Sequence, residues 1–357
     1  MTFNFEKLFT DVFAPQKGEV VTVMCDEPHH EIKDNAAWQD RRIMAQEWHS
    51  TIKNFSGKYG ITVNPLVVYP ATGSKNRDLP EYVTIEGKNT RSEDLIAQST
   101  IVISMPEFSA TAPLLNFTQK YKKLRVASMP CVQRSMEATG LSADYSLVAK
   151  KCALLAPLFK KACGIEVTFS TGHKCFFDIT PDNLVFEDSG NLHPDKKTMR
   201  LANLPSGEVC KVPNEAPDSK TQGEIPAQLE GEDMVFVVQH NHIIDVKGDG
   251  PTALKMKQAF AEKALSNIAE VAIGCNDKAK VIGVILEDEK AGFHWAYGRS
   301  DHIGGTIGVK DFSAPDKVCH TDIIYAKESP IVCKQFDFVF ADNTRKTAIV
   351  DGELLIC

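Results

Sequence analysis

The sequence predicts an α/β protein in two parts: an N-terminal parallel α/β domain over 1–142 and a C-terminal α+β domain over 165–357, joined by a bridging helix at 143–164. Three observations lead there. The chain has 357 residues, more than one ordinary core holds at about 150 residues per domain. Its first part alternates apolar runs with helical patterns. Its last part is dense in short alternating runs separated by turn residues, the mark of antiparallel sheet.

GEVVTVMC (18–25) reads as the first strand, an amphipathic stretch from Asn35 to Ile52 as a helix, and ITVNPLVVYP (61–70) as the next strand. STIVISMP (99–106), a helical TAPLLNFTQKYKK (111–123) and LRVASMP (124–130) continue the alternation, which implies right-handed crossovers. No Gly-x-Gly-x-x-Gly follows the first strand and no Walker-type loop is present, so nucleotide binding of the Rossmann kind is not indicated. ADYSLVAKKCALLAPLFKKAC (143–163) spaces its apolar residues as a helix does, with Gly164 at its end. Beyond it, IEVTFS and KCFFDIT flank Thr171-Gly172-His173 as a hairpin, and DMVFVV with HIIDVKG (233–248) forms another. ALKMKQAFAEKALSN (253–267) reads as a helix and PNEAPDSKTQGEIP (213–226) as a polar loop, while VIGVILED, FHWAYG, CHTDIIY, FDFVFAD and TAIVDGELL are β-rich.

With 43% hydrophobic and 24% charged residues the composition is that of a soluble globular protein. A net charge of -7 without a basic cluster argues against nucleic acid as a partner. No run of apolar residues is long enough to span a bilayer, and MTFNFEKLFTDVF has no apolar core of a signal peptide, so no membrane partner is expected. Ten cysteines lie singly between Cys25 and Cys357 without a CxxC pair; free thiols in a reducing cytoplasm are the simplest account.

VCHTDIIY (318–325) places His320 and Asp322 two apart in a β-rich run, where i and i+2 face the same way. An imidazole and a carboxylate aimed into one space begin a metal site, but a half-exposed strand face has the same pattern. Three further groups could complete it. Glu208 follows Pro205-Ser206-Gly207 at the start of a strand, a place where a glutamate is ordinarily solvated. Glu270 stands among core-like Ile268, Val271 and Ile273 where a helix gives way to an apolar run, and a carboxylate there needs a partner. His294 is flanked by aromatics in GFHWAYG, and alone reads as a satisfied core histidine. Among rivals, His240 and His242 fall at a hairpin tip, His173 at another, and His29 and His30 follow the first strand with nothing nearby to complete a ligand set. No Gly-x-Ser-x-Gly elbow is present.

Taken together, NLPSGEVCKVP, NIAEVAIG, EDEKAGFHWAYG, a Gly-Gly and VCHTDIIY resemble, in order and spacing, the aminopeptidase T and aminopeptidase S family of metallopeptidases. The resemblance covers about 200–357 and, more faintly, the first half. It implies a pair of divalent ions (zinc, cobalt or manganese) bound by Glu208, Glu270, His294, His320 and Asp322, with one carboxylate bridging and with Glu208 or Glu270 also assisting proton transfer. It further implies release of N-terminal residues from peptides and a homodimer. The chain departs from that family where the family has a tyrosine seven residues after the matched histidine: here the position is Asp301, followed by His302. Dihydroxypyridine ring-opening dioxygenases resemble the chain as well and imply an alternative, one Fe(II) held by two histidines and a carboxylate, with a histidine where this sequence has Glu270. A non-catalytic binding protein is the third reading, and it predicts that the five residues do not converge.

Overall fold

The computed structural model describes residues 3–30, 32–75, 77–196, 200–314 and 317–356, and its fold is mixed α/β. The chain forms two compact units, Met1–Ala149 with Asp188–Ser206 and Asn276–Glu287, and Lys150–Glu187 with Gly207–Cys275 and Asp288–Cys357. Residues 188–206 and 276–287, which the sequence leaves inside the second domain, therefore group with the first unit. One reason is visible in the sheet: Leu201–Asn203 pairs in parallel with Arg125–Ser128, a three-residue strand too short to carry a sequence signal.

The first unit is built on a sheet in the order Leu201–Asn203, Arg125–Ser128, Ile101–Ser104, Val20–Glu27, Val67–Pro70, Tyr82–Ile85, Lys88–Arg91. The first five strands are parallel and the last two form an antiparallel hairpin at the edge. The stretch 61–70 is two strands, not one. Thr62–Val63 and Val67–Pro70 are separated at Asn64-Pro65, where proline has no N–H to give the ladder. The helix read from Asn35 to Ile52 spans Ala36–Tyr59; Asn35 caps it by accepting from Trp38 N at 2.9 Å, and Gly60 ends it in the left-handed region at φ 63. A helix over Phe5–Phe13, with Phe5, Leu8, Phe9, Val12 and Phe13 buried, is an element the sequence reading passed over.

The second unit contains two sheets. One has eight antiparallel strands in the order His242–Lys247, Glu232–Gln239, Gln222–Leu229, Lys174–Asp178, Gly164–Phe169, Cys333–Val339, Arg345–Val350, Glu353–Leu354, and includes both expected hairpins. The polar loop read at 213–226 ends early, because Gln222–Leu229 is a strand that contains Pro226. The helix read at 253–267 is confined to Pro251–Ala259; Phe260 caps it and turns inward against Phe236 and Tyr297 at ring distances of 5.5 and 5.1 Å.

The other sheet has the order Phe186–Asp188, Glu208–Lys211, Ile268–Gly274, Phe293–Gly298, His320–Ile324. Pleat alternation gives it two chemically distinct faces. Phe293, Trp295 and Tyr297, with Val271, Ile273 and Ile323 paired beside them, form the apolar face. They pack on rings of the larger sheet and its neighbours, with Phe293 at 5.6 Å from Phe336 and Trp295 at 5.9 Å from Phe236. Trp295 is fully buried and its Nε1 donates to the Tyr325 hydroxyl at 3.1 Å. Trp295→Ala is expected to cost about 3–5 kcal/mol, read as a lowered denaturant midpoint; a loss under about 1 kcal/mol would contradict its place in this core.

Candidate metal centre

The opposite face of the five-stranded sheet carries all five residues singled out in the sequence. The register pairs Glu208 with Gly274, Cys210 with Ala272, Glu270 with Ala296, Ala272 with His294, Asp322 with Ala296 and His320 with Gly298. Opposed residues share a face, so Glu208, Glu270, His294, His320 and Asp322 point into one space. The spacing is set by small residues between them, Ala272, Gly274, Ala296 and Gly298. One irregularity aims the central group. The register shifts between Ile268 and Glu270, so that Ile268 opposes Tyr297 on the apolar face and Glu270 opposes Ala296 on the other. Without the extra residue Ala269, both would face the same way.

Two ligand groups result, and they share one carboxylate. Glu208, Glu270 and His294 form the first, and Glu270, His320 and Asp322 the second, with ligand atoms within 4.8 Å of one another in each. His294 Nε2 lies 3.4 Å from Glu208 Oε2 and 3.7 Å from Glu270 Oε1. His320 Nε2 lies 2.9 Å from Glu270 Oε2 and 3.5 Å from Asp322 Oδ1. Ligand bonds of about 2.1 Å in a tetrahedral site put neighbouring ligand atoms roughly 3.4 Å apart. The observed separations fit that. Both rings are also oriented as ligands: His294 Nδ1 faces the Gly292 carbonyl at 3.3 Å and His320 Nδ1 the Arg299 carbonyl at 2.7 Å. Donation there fixes the tautomer and turns each Nε2 lone pair to the site. Glu208 Oε2 and His294 Nε2 are buried without a hydrogen bond although they approach one another, which leaves both atoms able to take an ion.

Electrostatics agree. Burial opposes charge on His294, yet the Glu208 and Glu270 carboxylates overcome it and hold its pKa well above the ordinary imidazole range. Burial likewise opposes charge on His320, which Asp322 and Glu270 hold well above that range. Burial would raise Glu270, but the two imidazoles hold its carboxyl well below the usual range. Without ions, then, the site is a cluster of carboxylates around two imidazolium protons.

Three neighbours were not legible in the sequence. Lys290 is fully buried, and its ammonium donates to Glu208 Oε1 and to Glu289 Oε1, each at 2.6 Å. Burial pushes the Glu289 carboxyl up to about 8; Lys290 pulls against this, and Glu208 and Asp322 add to it. The His302 ring stands edge-on to His320 at 4.8 Å, and burial together with His320 brings its pKa down to about 4. His302 belongs to a loop fixed by Glu215, which accepts from Ser300 Oγ, Thr306 N and, at 2.7 Å, Thr306 Oγ1. Ile303 of the same loop covers Cys210 and Ala272 on the ligand face. Asp301, by contrast, is engaged by Arg299, and Tyr297 is on the apolar face.

The rival histidines lie elsewhere. His240 sits in a left-handed turn at φ 49 and its Nδ1 contacts the Ser219 carbonyl at 3.0 Å. That tip is docked, not solvated: Asn241 is fully buried and donates to the Ile268 carbonyl at 2.9 Å, while His242 Nδ1 contacts Ser266 Oγ at 3.1 Å. His29 Nε2 contacts the Ala71 carbonyl at 2.8 Å in the first unit. The nine described cysteines are thiols outside any disulfide. No helix among the described residues is long and apolar enough to cross a membrane.

In fold the chain is similar to two solved enzymes. A 2,5-dihydroxypyridine dioxygenase from Pseudomonas putida matches with a TM-score of 0.65 at 14% identity, covering 100% of this chain and 98% of that one. Wild-type AmpT from Thermus thermophilus matches with a TM-score of 0.59 at 13% identity, covering 99% and 98%. No family model and no curated protein sequence matches.

The raised imidazole values fix the sign of the pH dependence. A divalent ion must displace protons from His294 and His320, so its apparent affinity is expected to rise with pH through neutrality. Calorimetry in buffers of different ionisation enthalpy should show one to two protons, roughly, leaving per chain on loading. An affinity flat with pH and no proton release would contradict these protonation states. In the metal-free chain the imidazolium contribution to stability is complete below about pH 6.5, the unfolded value. It is lost as pH rises through the raised folded values.

Proposed function

We propose that the chain is a metal-dependent, aminopeptidase-like hydrolase that releases N-terminal residues from peptides at a pair of divalent ions: zinc, cobalt or manganese. Glu208, Glu270 and His294 would hold one ion, and Glu270, His320 and Asp322 the other. The observation that carries this reading is the membership of Glu270 in both ligand groups, with one oxygen toward each imidazole. A shared carboxylate is what two close ions require.

When bound, such ions lower the pKa of a coordinated water and polarise the scissile carbonyl. The chain's own residues do the rest. Gly292 and Arg299 carbonyls keep the imidazoles aimed, and the aromatic core beneath the sheet keeps the strand register that spaces the ligands. Glu208 and Glu270 are the proposed catalytic carboxylates, binding metal and passing protons. The more open side is that of His320, whose side chain is 18% exposed against 1% for His294. A substrate amine therefore approaches from there, past the His302 ring, which burial and His320 keep neutral. A homodimer and a cytoplasmic setting complete the proposal.

The ring-cleaving alternative would place one Fe(II) at Glu270, His320 and Asp322, a set with one imidazole and two carboxylates. The resemblance to such dioxygenases calls for the reverse, two imidazoles and one carboxylate. Convergence of all five ligands weighs against a non-catalytic binding protein.

Elemental analysis of the purified protein is expected to give close to two ions per chain, with release of N-terminal residues from peptides after loading with zinc, cobalt or manganese. Glu270→Ala should lose both ions together, since it removes a ligand from each group, and activity should fall at least about 1,000-fold. One iron per chain with oxygen uptake on an aromatic diol would overturn the proposal in favour of the dioxygenase, and absence of any ion would favour a binding protein.

A further inference from the structure

The two ligand groups are unequal, and a residue outside both makes them so. Gly274 opposes Glu208 on the ligand face, and a side chain there would collide with the Glu289 carbonyl and the Lys290 backbone. Glycine lets that segment lie directly against the sheet. Gly274 N also donates to the Gly292 carbonyl at 2.8 Å, which fixes the turn that follows. The consequence is that the Lys290 ammonium is delivered into the ligand layer, fully buried, between Glu208 Oε1 and Glu289 Oε1.

This inference rests on the two-ion reading. We propose that Lys290 is a positioning residue that ranks the two half-sites: it occupies one oxygen of Glu208 and places a positive charge beside the first half-site, so that the ion at Glu270, His320 and Asp322 binds first and more tightly. Two observations support the ranking. Glu208 retains a single oxygen, Oε2, facing His294, so it serves that ion through one atom only. The first half-site is buried throughout, whereas His320 and Asp322 are partly exposed, and an ion entering there sheds less water.

The test is a cobalt titration of the metal-free full chain, followed by calorimetry and by the visible absorption of bound Co(II), on wild type, Lys290→Met and Lys290→Arg. Wild type is expected to load in two steps. Lys290→Met should tighten the second step about tenfold and leave the first unchanged; Lys290→Arg, which keeps the charge, should retain two separate steps. Two ions bound with identical steps in wild type and Lys290→Met would overturn this inference alone. A single ion in wild type and Lys290→Met alike would overturn the two-ion reading and this inference with it.

Discussion

The carboxylate of Glu270 has to stand on the small-residue face of a strand whose neighbours on both sides belong to a core. Ile268 and Glu270 are two apart and would share a face in a regular strand. The single extra residue at Ala269 separates them, sending Ile268 to the aromatic layer and Glu270 to the ligand layer. The rest of the site follows from that placement. His294 and Asp322 come alongside through their own antiparallel pairings, and His320 follows at the next position on the same face. A slip of Phe293–Gly298 by one residue would turn His294 into the core and Phe293, Trp295 and Tyr297 out of it, which is why the register is so strongly specified.

The charge arrangement is demanding for the same reason. Glu208, Glu270 and Asp322 are held close together with little water, and such a group is stable only with compensating cations. In the metal-free chain the compensation comes from two imidazolium protons and the Lys290 ammonium. Divalent ions bound as proposed would replace the protons, while Lys290 would stay. The same side chains would then serve folding in one state and ligation in the other.

Much of this was legible in the sequence. The i, i+2 spacing of His320 and Asp322 predicts their common face, and Glu270 is a charge among Ile268, Val271 and Ile273 that needs a partner. Strand and helix alternation gave the mixed α/β character. What stayed hidden depends on contacts between distant segments. No local pattern marks Ala269 as the residue of a bulge, since alanine suits either register. Nor does EDEKAGFHW reveal that Lys290 turns inward, because that depends on Gly274 leaving room for its backbone. The short strand Leu201–Asn203 has no periodicity to read, and it is the sheet of the first unit that gives it a partner.

The central claim is that Glu270 bridges two ions on this sheet. Anomalous diffraction from crystals grown with zinc or manganese addresses it directly. The account predicts two peaks, one within about 2.0–2.2 Å of Glu208, Glu270 and His294 and the other at that distance from Glu270, His320 and Asp322. A single peak, or a pair of peaks neither of which touches Glu270, would contradict it.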